Sequence, residues 1–309
     1  MKFTVDPWDP AYGSSVEQEA PQSEAVVVVD VECSEAGWAP RVPPPGTVAP
    51  DAVVFVDGVR RLEARVWLDT PDGNDAIAGI FASFAAGAVR CDGRADVVDV
   101  NVGRGMYTPS SHLVDVETRA GRFAARRTPD AQPESLMYAV HADMSEVEAR
   151  IAEEARRRGD ELLLLDGPLR KAAHIPDAVG FVKSHHVRYL PAALNRVVAT
   201  LDAGERTPVF RVDAQPFSRY SWYVRLPGPP GGPWAGIVRC EASGALAAAA
   251  VAALADRITL SVPAFASAPH KDARAPQNLY PIAGLERRLR HLLGDPAVIY
   301  RALRRASAA

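Results

Sequence analysis

The sequence predicts a mixed α/β fold, a mixed sheet flanked by helices. Three observations carry this. The runs VVFV (53–56) and LLLL (162–165) are short and wholly apolar, as suits central strands covered on both faces. Between Glu134 and Arg158, Leu136, Met137, Val140, Met144, Val147 and Ile151 recur at spacings of 3 and 4, the period of an amphipathic helix. The second half then alternates strand-like and helix-like segments. With 309 residues, 48% of them hydrophobic, the chain can bury a sizeable core. A net charge of -3 argues against a protein that coats nucleic acid generally, and leaves room for a local basic track.

Residues 1–50, rich in Pro, Glu and Ser, read as a proline-rich arm containing one short strand at AVVVVDVEC (25–33). The ordered domain is expected over 51–309. Val53 to Val56 reads as a strand, Asp57-Gly58 as a hairpin turn, and Val59 to Leu68 as the returning strand. AIAGIFASFAAGAV reads as helix or loop. ADVVDVNVGRG and HLVDVETRAGRFAARR read as further strands, making the first half antiparallel. The helix at 134–158 ends on arginines before Gly159. A buried strand at 161–165, a strand at GFVKSHH and a helix near 191–201 follow. Strands at PVFRV, SWYVRL and AGIVRCEA, an Ala-rich helix and a terminal helix at 281–293 complete one domain.

The Ala-rich run GALAAAAVAALA (244–255) is too short to span a bilayer and reads as a core helix. The N-terminus lacks an apolar signal core, and the three cysteines have no ligand spacing. These features predict reduced, structural cysteines in a cytoplasmic protein without membrane contact.

Two strands thus lead into Asp-Gly, at Asp57 and at Asp166. A carboxylate at a buried strand end costs free energy unless it is paired or bound to a cation, and Mg²⁺ or Mn²⁺ would suit two such groups. The order strand, DG, strand, strand, helix, strand, DG is that of a ribonuclease-H-like fold, in which the first strand and the strand after the first helix are neighbours. A third carboxylate is expected from the intervening helix. Glu148 lies at the edge of its apolar face, whereas Glu146 points nearly opposite. Glu117 is a rival on a strand.

In these residues the chain resembles the NurA family of nucleases, which act with the hexameric ATPase HerA. The matching pieces are FVDGV, MSEVEARIAEEARRRGDELLLLDGPL, GFVKSH and PQNLYPIAGLE, and they span most of the chain from Asp51 onward. The resemblance implies a ribonuclease-H-like fold, a homodimer, a HerA-like ATPase partner, and Mn²⁺- or Mg²⁺-dependent hydrolysis of DNA in end processing or repair. It implies Asp57, Glu148 and Asp166 as metal ligands, and Tyr280 as a further catalytic residue. The family's late histidine position falls near Arg288 here, so His291, one helical turn on, is the substitute candidate. Arg60, Arg61, Arg170, Lys171 and Lys183 are the expected DNA contacts. Trp222, Tyr223 and Trp234 are candidates for base stacking. The alternative is a non-catalytic NurA-like subunit that binds a partner ATPase or DNA. No GxxxxGK[ST] motif is present, so ATP hydrolysis is not expected.

Overall fold

The computed structural model describes residues 8, 21–69, 76–159, 161–214, 218–229 and 231–308. The strands are β1 (Val26–Val28), β2 (Val53–Asp69), β3 (Ala76–Cys91), β4 (Ala95–Thr108), β5 (Val116–Thr118), β6 (Gly121–Arg127), β7 (Leu162–Asp166), β8 (Ala178–Val182), β9 (Phe210–Asp213), β10 (Arg219–Arg225) and β11 (Ile237–Ser243). The helices are α1 (Pro133–Arg158), α2 (Ala192–Ala199), α3 (Ala248–Ser261), α4 (Tyr280–Leu292) and α5 (Pro296–Ala306). The fold is mixed α/β, and its sheet has the strand order β1-β9-β10-β11-β8-β7-β2-β3-β4-β6-β5. As expected, β7 lies beside β2, and the Leu162 amide donates to the Ala52 carbonyl at 3.2 Å.

The chain forms two compact units. The first takes the described residues of Met1–Phe55, Arg90–Asp96 and Ala155–Ala283; the second takes those of Val56–Val89, Val97–Glu154 and Gly284–Ala309. In the first unit β7 and β8 pair in parallel, while β8–β11, β11–β10, β10–β9 and β9–β1 are antiparallel. Its core includes Trp38, Leu190, Leu194, Phe210, Tyr223 and Ile237. Residues of the proline-rich segment belong to this unit. β1 pairs with β9, and Glu32 receives both Arg206 terminal nitrogens at 2.8 and 2.9 Å. Arg206 also donates to Asp256 at 2.8 Å, so its buried guanidinium is matched by two carboxylates.

In the second unit α1 lays Leu136 and Val140 against Ile80, Ala82 and Tyr107, and α5 lays Ile299 and Leu303 against Phe81, Met106 and Phe123. Asp295 caps α5 by accepting from the Ala297 and Val298 amides.

Three expectations are corrected here. Asp57-Gly58 makes no turn: β2 runs straight through it for 17 residues, and neither residue has the positive φ of a two-residue hairpin. AIAGIFASFAAGAV is the strand β3, not helix or loop. Its small residues admit close neighbours: a Cβ on Gly79 would lie 3.0 Å from the Tyr107 carbonyl oxygen, and one on Gly87 2.9 Å from that of Asp99. The first half is not purely antiparallel, because β6 pairs with β4 in parallel.

The helical stretch Ala248–Phe265 is long and apolar enough to cross a membrane by length and composition, because the apolar run continues past Ala255. Here Val251, Leu254, Ala255 and Ile258 are buried. The three cysteines are free thiols, and burial pushes the Cys91 thiol up to about 11. An additional helix, α5, follows the terminal helix that the sequence suggested.

Candidate metal centre

Asp166 is the last residue of β7, and the loop after it is tightly specified. Gly167 takes φ +91, a left-handed conformation that side chains resist, and its amide donates to the Phe181 carbonyl at 2.8 Å. The loop then crosses β8 at Gly180, where a Cβ would lie 2.6 Å from the Leu169 nitrogen and 2.9 Å from the Gly167 oxygen. The Leu169 amide donates to Glu241 Oε2 at 3.1 Å. Glu241 is buried, yet its carboxyl stays below the usual range: the Arg239 and Arg219 guanidiniums, with the Leu169 amide, outweigh the desolvation that would raise it. Two glycines and a buried ion cluster therefore fix the path out of Asp166.

Lys183, just beyond β8, donates to Asp166 Oδ2 at 2.6 Å and to Asn278 Oδ1 at 2.9 Å. Asn278 in turn donates to Asp272 at 2.8 Å. Asp166 Oδ1 is buried and has no hydrogen-bond partner among the described residues. An orphaned carboxylate oxygen of this kind fits a cation better than an empty apolar surrounding.

Asp57 lies in the inner part of β2, where residues 52–57 are all buried; past Val59 exposed and covered residues alternate. The Gly58 amide donates to its Oδ1 at 2.7 Å. Gly58 itself answers to α1: a Cβ there would lie 2.4 Å from Glu148 Oε1 and 2.9 Å from Met144 Cγ. Glu148 is thus half-buried and set against the residue after Asp57, whereas Glu146 is exposed.

Within the second unit, one carboxylate oxygen of Asp57 lies within 4.8 Å of one of Glu286, close enough to share one ion. Glu286 is the residue that sequence reasoning missed. It stands in α4 between buried Leu285 and Leu289, with its side chain 13% exposed. The available signal was in the quoted motif PQNLYPIAGLE, which ends on it.

The remaining expected residues are distributed as follows. Tyr280 opens α4, 38% exposed, with the Lys271 ammonium 5.3 Å above its ring. His291 and Arg288 are exposed on the same helix. Arg60 is exposed, but Arg61 pairs with Glu63 at 2.9 Å and donates to the Gly294 carbonyl at 2.9 Å. Arg170 and Lys171 are exposed in the short 3₁₀ turn after the Asp166 loop. Glu117 is exposed on β5, 3.7 Å from Arg122. Trp222 and Tyr223 are buried, and Trp234 lies edge-on to Tyr223. His185 is buried against both Tyr223 and Trp234, and desolvation pushes it down to about 4. Trp222, Tyr223 and His185 fill the interior and are not placed to stack on bases, whereas Trp234 is half-buried.

No protein-family model matches the chain, and no curated protein matches it.

Proposed function

We propose that this protein is a metal-dependent deoxyribonuclease with a ribonuclease-H-like core, similar to the NurA family. The observation that carries the reading is the approach of the Asp57 and Glu286 carboxylates in the second unit, together with the buried Asp166 Oδ1 of the first unit's β7, which has no hydrogen-bond partner among the described residues. The strand order β4-β3-β2-β7-β8 supports it, since it sets the strand after α1 beside the strand that bears the first aspartate.

The donor set is all oxygen, which suits Mn²⁺ or Mg²⁺. Asp57 and Glu286 would hold the ion, with Asp166 as the further ligand that the family resemblance implies. When bound, such an ion supplies Lewis-acid chemistry, making water nucleophilic at neutral pH and offsetting charge on a phosphoryl oxygen. The chain's own residues prepare for this. Lys183 occupies Asp166 Oδ2 and leaves Oδ1 without a hydrogen-bond partner among the described residues. Asn278 and Asp272 hold Lys183 in that position. Glu148, against Gly58, stands ready to accept a proton or hydrogen-bond a water. Tyr280 presents an exposed hydroxyl for a phosphate oxygen, and Arg60, Arg170 and Lys171 remain on the surface as DNA contacts. In this reading the chain is a cytoplasmic homodimer that processes DNA ends with a HerA-like ATPase.

The Lys183–Asp166 ion pair favours a second reading, a non-catalytic subunit, because the ammonium already neutralises one carboxylate. The test is cleavage of labelled single- and double-stranded DNA with Mn²⁺, Mg²⁺ or EDTA, by the wild type and by Asp57→Ala, Asp166→Ala and Glu286→Ala. Metal-dependent cutting lost in all three supports the nuclease. An inert wild type, even with a HerA-like ATPase added, selects the non-catalytic subunit.

A further inference from the structure

A groove of about 520 Å³ lies in the second unit, between the β5–β6 hairpin and α5. Its hairpin side is Glu117, Thr118, Arg119 and Ala120; its helix side includes Val298, Arg301, Ala302 and Arg305. Arg119, Arg301 and Arg305 are exposed, as is neighbouring Arg304, and none of the four makes an ion pair among the described residues. The one acid on the lining, Glu117, is already matched by Arg122.

This is costly for a chain of net charge -3. Arg301 and Arg305 are four apart on one helix face, where like charges repel by about 0.2–0.5 kcal/mol. The helix macrodipole favours arginines in the last turn, which accounts for Arg304 and Arg305. It does not account for Arg119 facing them from a different element. Three guanidiniums around a floor of Thr118, Ala120 and Ala302 form a cationic trough with methyl groups at its base. An acidic protein segment would need deeper apolar pockets for its anchor side chains. A phosphodiester backbone needs only the cations and a floor low enough to approach.

We infer that this groove binds the phosphate backbone of a nucleic acid strand through Arg119, Arg301 and Arg305, as a contact additional to those expected near the carboxylates. The inference rests on the reading of this protein as acting on DNA, and extends it to a surface that the sequence did not suggest.

The test is fluorescence anisotropy of a labelled oligothymidylate with the full chain in EDTA, titrated with NaCl, so that binding is read without cutting. Each phosphate-contacting cation contributes about 0.7 to the slope of log K against log salt on a single strand. Arg301→Gln/Arg305→Gln is expected to make the slope shallower by about 1.4 and binding on the order of tenfold weaker at 0.1 M salt. Arg301→Lys/Arg305→Lys should keep the slope, and Arg119→Gln alone should remove about half as much as the double glutamine variant. Unchanged slope and affinity in the glutamine variants, with wild-type melting curves, would overturn the inference. So would arginine-dependent binding of polyglutamate that is tighter than that of an oligothymidylate of equal charge, since that outcome assigns the groove to an acidic protein. Cleavage with Mn²⁺ reads the other hypothesis independently. Cutting without an arginine-dependent slope removes the groove alone, and an arginine-dependent slope without cutting removes the nuclease alone.

Discussion

Asp57-Gly58 and Asp166-Gly167 are the same dipeptide after the same kind of apolar run, but the backbone treats them differently. At Asp166 the strand ends, and Gly167 is required for its handedness: φ is +91 and no described residue lies within 4 Å of a would-be Cβ. At Asp57 the strand continues, and Gly58 is required for its emptiness: Glu148 and Met144 occupy the space a Cβ would take. One glycine lets the chain turn away from its aspartate, and the other lets a helix come down beside its aspartate. The dipeptide therefore marks a place where backbone or side chain must come close, and a turn is only one way to need that.

The contrast is tested most severely through the support of the Asp166 loop. Glu241 accepts from the Leu169 amide and balances two arginines that are themselves largely buried. Removing one partner of such a cluster leaves charge without compensation, so Glu241→Ala is expected to destabilise the fold by about 3–5 kcal/mol in urea denaturation. A loss below about 1 kcal/mol would mean that Gly167 and Gly180 fix the loop unaided.

This support also shows what the sequence could and could not disclose. The helix at 134–158 and the strand at 162–165 were legible because a long periodic pattern and a short apolar run each admit one main reading. Asp57-Gly58 was misread because turn propensity is local, and the neighbours that crowd Gly58 come from α1, some ninety residues on. The strand β3 was misread because alanine favours helix until close sheet neighbours require small side chains. Asp57 and Asp166 were visible as acids directly after short apolar runs. Glu286 was not, because an acid in an amphipathic helix has a solvated face as its default, and only the tertiary fold of the second unit brings it to Asp57.

A second test uses pH. His185, two residues past Lys183, is buried neutral and pushed down to about 4. The unfolded chain takes up a proton near pH 6.5 that the folded chain refuses until about 4, so stability falls as pH drops through that interval. The interval corresponds to about 3 kcal/mol, and it should disappear in His185→Phe, whose ring can remain against Tyr223 and Trp234. Glu241 and Glu32, both held below the usual carboxylate range, contribute stability that is present above their unfolded values and lost only as pH falls further. Urea midpoints between pH 7 and pH 4 separate the two: a histidine slope above pH 4.5 and a carboxylate slope below it. A flat profile from pH 7 to pH 4.5 in the wild type would contradict the burial of a neutral imidazole.

The smallest effects on stability are the most informative about the comparison itself. Gly167→Ala forces a side chain into a left-handed backbone and should cost about 1–2 kcal/mol. No neighbour can relieve that, because none is near, but Gly167→Asn should recover part of it, since asparagine enters this region more readily. Gly58→Ala meets two flexible side chains, so Met144 can yield and the stability cost should stay near 1 kcal/mol. What it must do is move the Glu148 carboxylate, whose Oε1 lies 2.4 Å from the new methyl. A double-mutant cycle reads this directly: Glu148→Ala should absorb most of the cost of Gly58→Ala, giving a coupling of about 0.5 kcal/mol or more. If metal-dependent cleavage also falls in Gly58→Ala by more than its stability loss explains, Glu148 acts at the carboxylate cluster. If the two substitutions add independently, Gly58 is merely a gap in a strand, and the two Asp-Gly pairs share nothing beyond their letters.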